Sequence, residues 1–300
     1  MKPKGYIVFH LNLAFSSIEE NAWANVIKTC YHSLLDLIEQ TGIPIGIELT
    51  GSTLKQIERI DITWIERFKI LLNTGRCELV GSGYCQIIGP LVPYKVNEWN
   101  QKLGIETYKQ ILGCRPNIIL VNEMAFSSSL VDLYSRFGYT GLILDRDNVR
   151  LALDLENLPI SAVPTHAKGS GDAVLPILWS DSILFQKVQH FAHGDIAIND
   201  YLDYLKNRIN NGESIFPIYT NDAEVFDYRP GRFSEERPTH SEGEWNRVKK
   251  LLEAIVLNTE IKFCSPSQAL EISNKRTDRC ISKLTNAAHP IPVKKQAKYN

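Results

Sequence analysis

A chain of 300 residues that is 44% apolar and 22% charged has the composition of an ordinary soluble globular protein, with room for one large α/β domain. Its net charge of -1 gives no electrostatic reason to expect nucleic acid or a membrane surface as a partner. The N-terminus, Met1-Lys2-Pro3-Lys4-Gly5, runs into a strand soon interrupted by His10 and Asn12, too short for a signal h-region or a membrane span, so a cytoplasmic protein is expected.

Strand-like and helix-like segments alternate from the start. Residues 6–9 form a first apolar strand, and Ser16-Ser17 followed by Glu19 and Glu20 read as an N-cap with acids in the first turn. Trp23, Val26, Ile27, Cys30, Leu34, Leu37 and Ile38 then recur at helical spacing until Gly42-Ile43-Pro44. A second strand at 45–49 leads into a helical stretch reaching residue 72 with a break at Asp61. Gly75 closes it, and a third strand follows at 77–81. The Gly-rich, uncharged loop 82–91 suits substrate contacts. A helix over 96–112, a strand at 117–121, a short helix over 127–137 and a strand at 139–145 come next. The pattern weakens over 146–171, with at most a short strand near 160–163, and recovers as a strand at 174–179. His190-Phe191-Ala192-His193-Gly194-Asp195 reads as a loop before a helix over 198–210. The apolar run 215–219 leads to Asp222, and a long polar loop precedes an amphipathic helix over 244–257 and a last strand at 261–263.

Seven or eight strands, each followed by a helix or a long excursion, predict a parallel barrel over residues 1–270. No GxGxxG or GxxxxGK[ST] follows any strand, so nucleotide binding loses its main support and no cofactor is expected. Residues 271–300 form a basic tail, which from Asn274 on has Lys275, Arg276, Arg279, Lys283, Lys294, Lys295 and Lys298 against Asp278, or the start of a further segment. The six cysteines are scattered with no CxxC pair, as small buried hydrophobes in a reducing compartment would be, and no metal site is expected.

Three apolar strands end on acids, Glu123, Asp145 and Asp222, and the first ends on His10. Barrel enzymes keep their catalytic groups at that edge. Asp222, Glu224 and Asp227 lie within six residues, and their crowding should push at least one pKa upward. Two carboxylates facing each other across a barrel mouth are the minimum for cleaving a glycosidic bond. Trp99, Trp179, Tyr84, Tyr219, Tyr228 and Phe226 lie in or near the strand-end loops, where flat rings could stack on sugars.

Four ordered blocks resemble glycoside hydrolase family 57. They are Val8-Phe9-His10-Leu11-Asn12, then Gly75-Arg76-Cys77-Glu78 with Gly89-Pro90-Leu91, then Val121-Asn122-Glu123-Met124-Ala125, and Asp222-Ala223-Glu224-Val225-Phe226-Asp227. The resemblance implies an incomplete parallel (β/α)7-type barrel that acts on an oligo- or polysaccharide as a retaining hydrolase or transglycosylase. Glu123 would be the nucleophile and Asp222 the acid/base. His10 would bond a sugar hydroxyl or orient Glu123, and Glu78 and Gln86 would support them. Asn12, Glu224 and Asp145 complete the residues expected to touch substrate. The chain departs from the family pattern in having Asn12-Leu13-Ala14 for His-Gln-Pro, Gln86 for a His or Glu, and Asp227 for Gly.

Two alternatives accompany this reading. A deacetylase-like enzyme on a related barrel would take metal ligands from His190 and His193 with Asp195 nearby. A non-catalytic glycan-binding protein would keep the acids only as hydrogen-bond acceptors.

Overall fold

The computed structural model describes residues 2–14, 18–147, 149, 163–228, 242–275 and 283–285. Seven parallel strands curl into a barrel. β1 (Lys4–Leu11) pairs with β2 (Ile45–Leu49), which pairs with β3 (Cys77–Val80). A single parallel bridge from Gly81 to Ile119 joins β3 to β4 (Ile118–Leu120), and the order continues through β5 (Gly141–Asp145) to β7 (Val174–Ser180). On the other side of β1 lies β8 (Ile215–Asp222), so the first and last barrel strands are neighbours.

Successive side chains on a strand point to opposite faces, and β1 obeys this from end to end. Tyr6 and Val8 join an interior cluster with Val80, Ile118, Leu120 and Ile143, while Ile7, Phe9 and Leu11 pack with the outer helices. His10 continues the inward row. The outer layer begins with α1 (Trp23–Val26), a π-helical turn at Ile27–Tyr31 and α2 (His32–Thr41), which carry the apolar face read from the sequence. The break at Asp61 separates α3 (Gly51–Ile60) from α4 (Ile62–Asn73): its Oδ1 accepts the Thr63 and Trp64 amides at 3.1 and 3.4 Å and so caps α4. α5 (Tyr94–Leu112), α6 (Ser128–Arg136), α7 (Ser182–His193), α8 (Ile198–Asn210) and α9 (Glu244–Asn258) complete the layer.

The amino ends of the strands are plugged by α10 (Pro266–Asn274), which sets Ala269 and Leu270 into the interior cluster. It lies close against two inward positions that are both glycine. A Cβ on Gly46 would lie 2.7 Å from the Pro266 ring, and one on Gly141 would lie 2.2 Å from a Leu270 methyl. The plug spans the boundary expected at residue 270, and it and β6 (His166–Lys168) are elements that the sequence pattern did not predict.

The barrel does not close between β7 and β8. β7 is paired at its start by β6, running antiparallel, and a further short strand, Lys283–Leu284, extends that sheet outward. The seam is spanned by side chains. Arg146 after β5 reaches Asp181 after β7 and lies 3.2 Å from Glu213, which precedes β8. Arg208 from α8 lies 2.7 Å from the same Asp181 and donates to Glu213 at 2.6 Å. All four groups are largely buried. Tyr6 also donates its hydroxyl across the interior to the Trp179 carbonyl. Among the described residues no helix is long and apolar enough to cross a membrane. The expected cap at Ser16-Ser17, the short strand near residue 160, the polar loop 229–241 and most of the tail fall outside the described residues.

Candidate active site

At the carboxyl ends of the strands lies an open cavity of about 490 Å3, lined by His10, Asn12, Gln86, Glu123, Thr220 and Asp222 among others. No lysine or arginine is among the described residues that line it.

Glu123 follows β4 in a tight turn, Asn122–Met124, whose geometry is unusual. Glu123 and Met124 both have φ of 53°, in the left-handed region that L-residues other than Asn, Asp and Gly seldom adopt. Such backbone persists only where the surroundings hold it, and it clusters at functional sites. Here the hold is visible. The Asn122 side chain accepts from the Ser82 hydroxyl at 2.8 Å, and Gln86 Nε2 donates to Glu123 Oε1 at 2.7 Å.

Gln86 is set in turn by its loop. Asn100 Oδ1 on α5 accepts the Tyr84 and Cys85 amides at 3.1 and 2.7 Å, and its Nδ2 donates to the Cys85 carbonyl at 3.0 Å. The loop lies so close to α5 that a Cβ on Gly104 would fall 2.5 Å from the Gly83 carbonyl carbon. Asn12 donates its side-chain amide to Gln86 Oε1, so donors run in one direction from Asn12 through Gln86 to Glu123.

Asp222 ends β8 and lies level with His10 on β1. Two residues later Glu224 turns inward behind the cavity wall, where its carboxylate accepts the Asn12 amide at 2.8 Å and the Tyr31 hydroxyl. The upward pKa shift expected among the clustered acids falls on this residue. Burial, and then the charge of Asp222, push Glu224 up to about 7. Asp227 has φ of 61°, which accounts for the glycine that the family pattern has there. Its carboxylate accepts the amides of Glu244 and Trp245 at 2.7 and 3.3 Å, and Glu244 accepts the Asp227 amide in return at 2.5 Å.

The structure thus brings His10, Asn12, Gln86, Glu123 and Asp222 to one cavity, with Glu224 directly behind it. Two of the residues expected to touch substrate lie elsewhere. Asp145 is buried at the end of β5, where it accepts from Ser180 at 3.2 Å, and is not among the cavity residues. Glu78 points into the barrel near its amino end and accepts the Ser267 amide at 3.0 Å and the Ser267 hydroxyl, anchoring the start of α10. The proposed stacking rings are mainly core: Tyr219, Phe226 and Trp179 are buried, while Trp99 is exposed on α5.

His190 and His193 occupy the last turn of α7, not a loop, and each has its own carboxylate. His190 lies 2.8 Å from Asp195 and His193 2.7 Å from Glu244. Among the described residues no three His, Cys, Asp or Glu side chains gather as a metal site would require.

One residue at the site escaped the sequence reading. Glu48, an acid inside the otherwise apolar β2, is completely buried and bonds His10 Nδ1 through Oε2. Burial pushes the His10 imidazole below its usual range, while Asp222 and Glu123 pull it the other way. The one available signal was that an acid in a strand buried on both faces needs a partner.

A family profile, Glycosyl hydrolase family 57, matches residues 5–283. Among curated proteins no sequence matches the chain. The chain is similar in structure to the 4-alpha-glucanotransferase from Thermococcus litoralis, with a TM-score of 0.73 at 16% identity over 92% of this chain and 41% of that one. It is similar to the alpha-amylase AmyC from Thermotoga maritima at TM-score 0.67 and 13% identity, over 96% and 77% of the two chains. A putative polysaccharide deacetylase from Mycobacterium smegmatis aligns at TM-score 0.60 and 14% identity, over 95% and 96%. The chain therefore spans about two-fifths of the glucanotransferase's length, and at these identities the likeness is one of fold.

Proposed function

Because the chain belongs to glycosyl hydrolase family 57, we propose that it cleaves or transfers glycosidic bonds of an oligo- or polysaccharide by a retaining mechanism, with Glu123 as nucleophile and Asp222 as acid/base. The observation that carries this is the convergence of Glu123 and Asp222, from opposite parts of the strand order, on one cavity that no cation lines among the described residues.

In the first step a carboxylate oxygen of Glu123 attacks the anomeric carbon. The bond to the leaving oxygen breaks as Asp222, protonated, gives that oxygen its proton. In the second step Asp222, now a carboxylate, takes a proton from water or from an acceptor hydroxyl, whose oxygen displaces Glu123 and regenerates it. Gln86 holds Glu123 Oε1 by its amide, which leaves the other oxygen to attack and keeps the carboxylate from rotating. His10 and Asn12 face the same space and suit the hydroxyls of the bound sugar.

Two of the similar structures are by name a 4-alpha-glucanotransferase and an alpha-amylase, so α-linked gluco-oligosaccharides are the first substrates to try. We place the protein in the cytoplasm, a reading supported by the five described cysteines, all of which are free. The metal-dependent alternative draws no support from His190 and His193, whose carboxylate partners are separate.

The test is turnover on a panel of α-linked glycans, with and without chelator, for the wild type and Glu123→Gln. Product that survives the chelator and falls at least about 1,000-fold in the variant supports the mechanism. Activity lost to chelator would move the case to a metal enzyme. Glycan binding equal in both proteins with turnover in neither would leave a binding protein.

A further inference from the structure

His10 and its neighbours form one layer across three strands. In the parallel register His10 of β1 is level with Glu48 of β2 on one side and Asp222 of β8 on the other. Level residues in a parallel sheet point to the same face, so all three side chains project into the barrel at the floor of the cavity.

The three groups are not equivalent. Asp222 lines the cavity, whereas Glu48 has no exposed surface and reaches only the far edge of the imidazole, through Oε2 to Nδ1. Its other oxygen, Oε1, has no hydrogen-bond partner among the described residues. A buried acid with an orphaned oxygen is costly, and among the described residues no ion pair to lysine or arginine offsets that cost. Among the described residues the hydrogen bond Glu48 makes is with a ring that faces Gln86, Glu123 and Asp222.

We propose that Glu48 is a positioning residue: it holds His10 in the tautomer protonated at Nδ1, so that Nε2 faces the cavity as a hydrogen-bond acceptor. A carboxylate can only accept, so the proton of the shared bond sits on Nδ1. A neutral ring with Nδ1–H has a lone pair at Nε2. That lone pair suits a donor, and on the reading of the cavity as a sugar site the donor is a free hydroxyl of the bound residue. A sugar methylated or acylated at that oxygen would have nothing to give and would be discriminated against. A partner on the hidden nitrogen deciding what the exposed nitrogen can do is the same logic by which a second group orients a metal-bound histidine.

The experiment is a long-range 1H–15N correlation spectrum of the full chain, uniformly 15N-labelled, near neutral pH. The chain has seven histidines, and the His10 ring is assigned by its loss in His10→Asn. The expected wild-type pattern is one protonated Nδ1 and one bare Nε2. In Glu48→Leu the proton should move to Nε2, the form that prevails for imidazole in water, whereas Glu48→Gln, whose amide oxygen still accepts, should restore the wild-type pattern. A wild-type ring protonated at Nε2, or a spectrum unchanged in Glu48→Leu, overturns the proposal. The wild-type spectrum decides the question even where Glu48→Leu fails to fold. No substrate enters this measurement, so it fails or succeeds independently of the turnover assay with Glu123→Gln.

Discussion

Two groups of acids sit within one small barrel and are treated in opposite ways. At the seam between β7 and β8, Asp181 and Glu213 are matched by Arg146 and Arg208, two charges against two. At the mouth, Glu48, Glu123, Asp222 and Glu224 have only amides, a hydroxyl and a histidine as described neighbours. A carboxylate bonded to two arginines is tied in place. Glu224, which has no such partner among the described residues, is pushed up to about 7 by burial and by the charge of Asp222. The acids paired with arginine at the seam hold the fold together, and those left without it at the mouth lie where chemistry is proposed to happen.

Single substitutions can break or sharpen that contrast. The largest effect is expected from Asp222→Asn, which should lower turnover about 100- to 10,000-fold while leaving urea stability nearly unchanged. A comparable loss of stability would mean that Asp222 is a structural acid after all. At the seam the pattern should reverse. Arg208→Met leaves Asp181 and Glu213 short of a partner and should cost about 3 to 5 kcal/mol in urea unfolding. A loss below about 1 kcal/mol would show the seam charges to be bystanders.

Glu224 gives a pH-dependent test. Its carboxyl releases a proton near 4.5 when unfolded and near 7 when folded. Between those values the native chain binds more protons, so stability falls as pH rises through the window and stays lower above it. The loss is on the order of 3 kcal/mol. Glu224→Gln keeps an acceptor for Tyr31 and Asn12 but cannot ionise. It should match the wild type at about pH 4 and exceed it at about pH 8 by a sum of that order. Parallel stability curves for the two proteins would refute the raised pKa.

The smallest effect concerns Asp227. Replacement by Ala keeps the left-handed backbone and loses the contacts to α9, at about 2 kcal/mol, whereas Gly relieves the backbone and should cost about half as much. Equal losses in the two variants would show that the carboxylate, and not the φ angle, governs the position.

Much of the barrel was legible because its signals are local. The apolar run at Ile45–Leu49 and the helix at Ile198–Asn210 fall where periodicity and caps predict them. β6 was missed because three residues pairing antiparallel with one strand leave no pattern of their own. The open seam did leave one: Pro176 in β7 and Pro217 in β8 belong to strand positions where a ladder hydrogen bond is dispensable, as edges and bulges allow. For the site, Glu123 and Asp222 stood out as acids at the ends of apolar strands. Glu78 and Glu48 are acids on adjacent inward-facing rows of neighbouring strands, yet one anchors a plug and the other holds a histidine. Sequence alone gives no height along the barrel axis, and height decides which of these tasks an inward acid performs.

The seam has a further consequence for the protein in a crowded solution. A sheet of seven strands laid flat would offer two outer strands whose unpaired backbone groups invite other chains to add on, the route by which β-proteins polymerise. Curling the sheet until those strands face each other, with β6 shielding one and arginines filling the space between, withdraws that invitation without a closing ladder. An unfinished cylinder can in this way be as well guarded against fibre growth as a finished one.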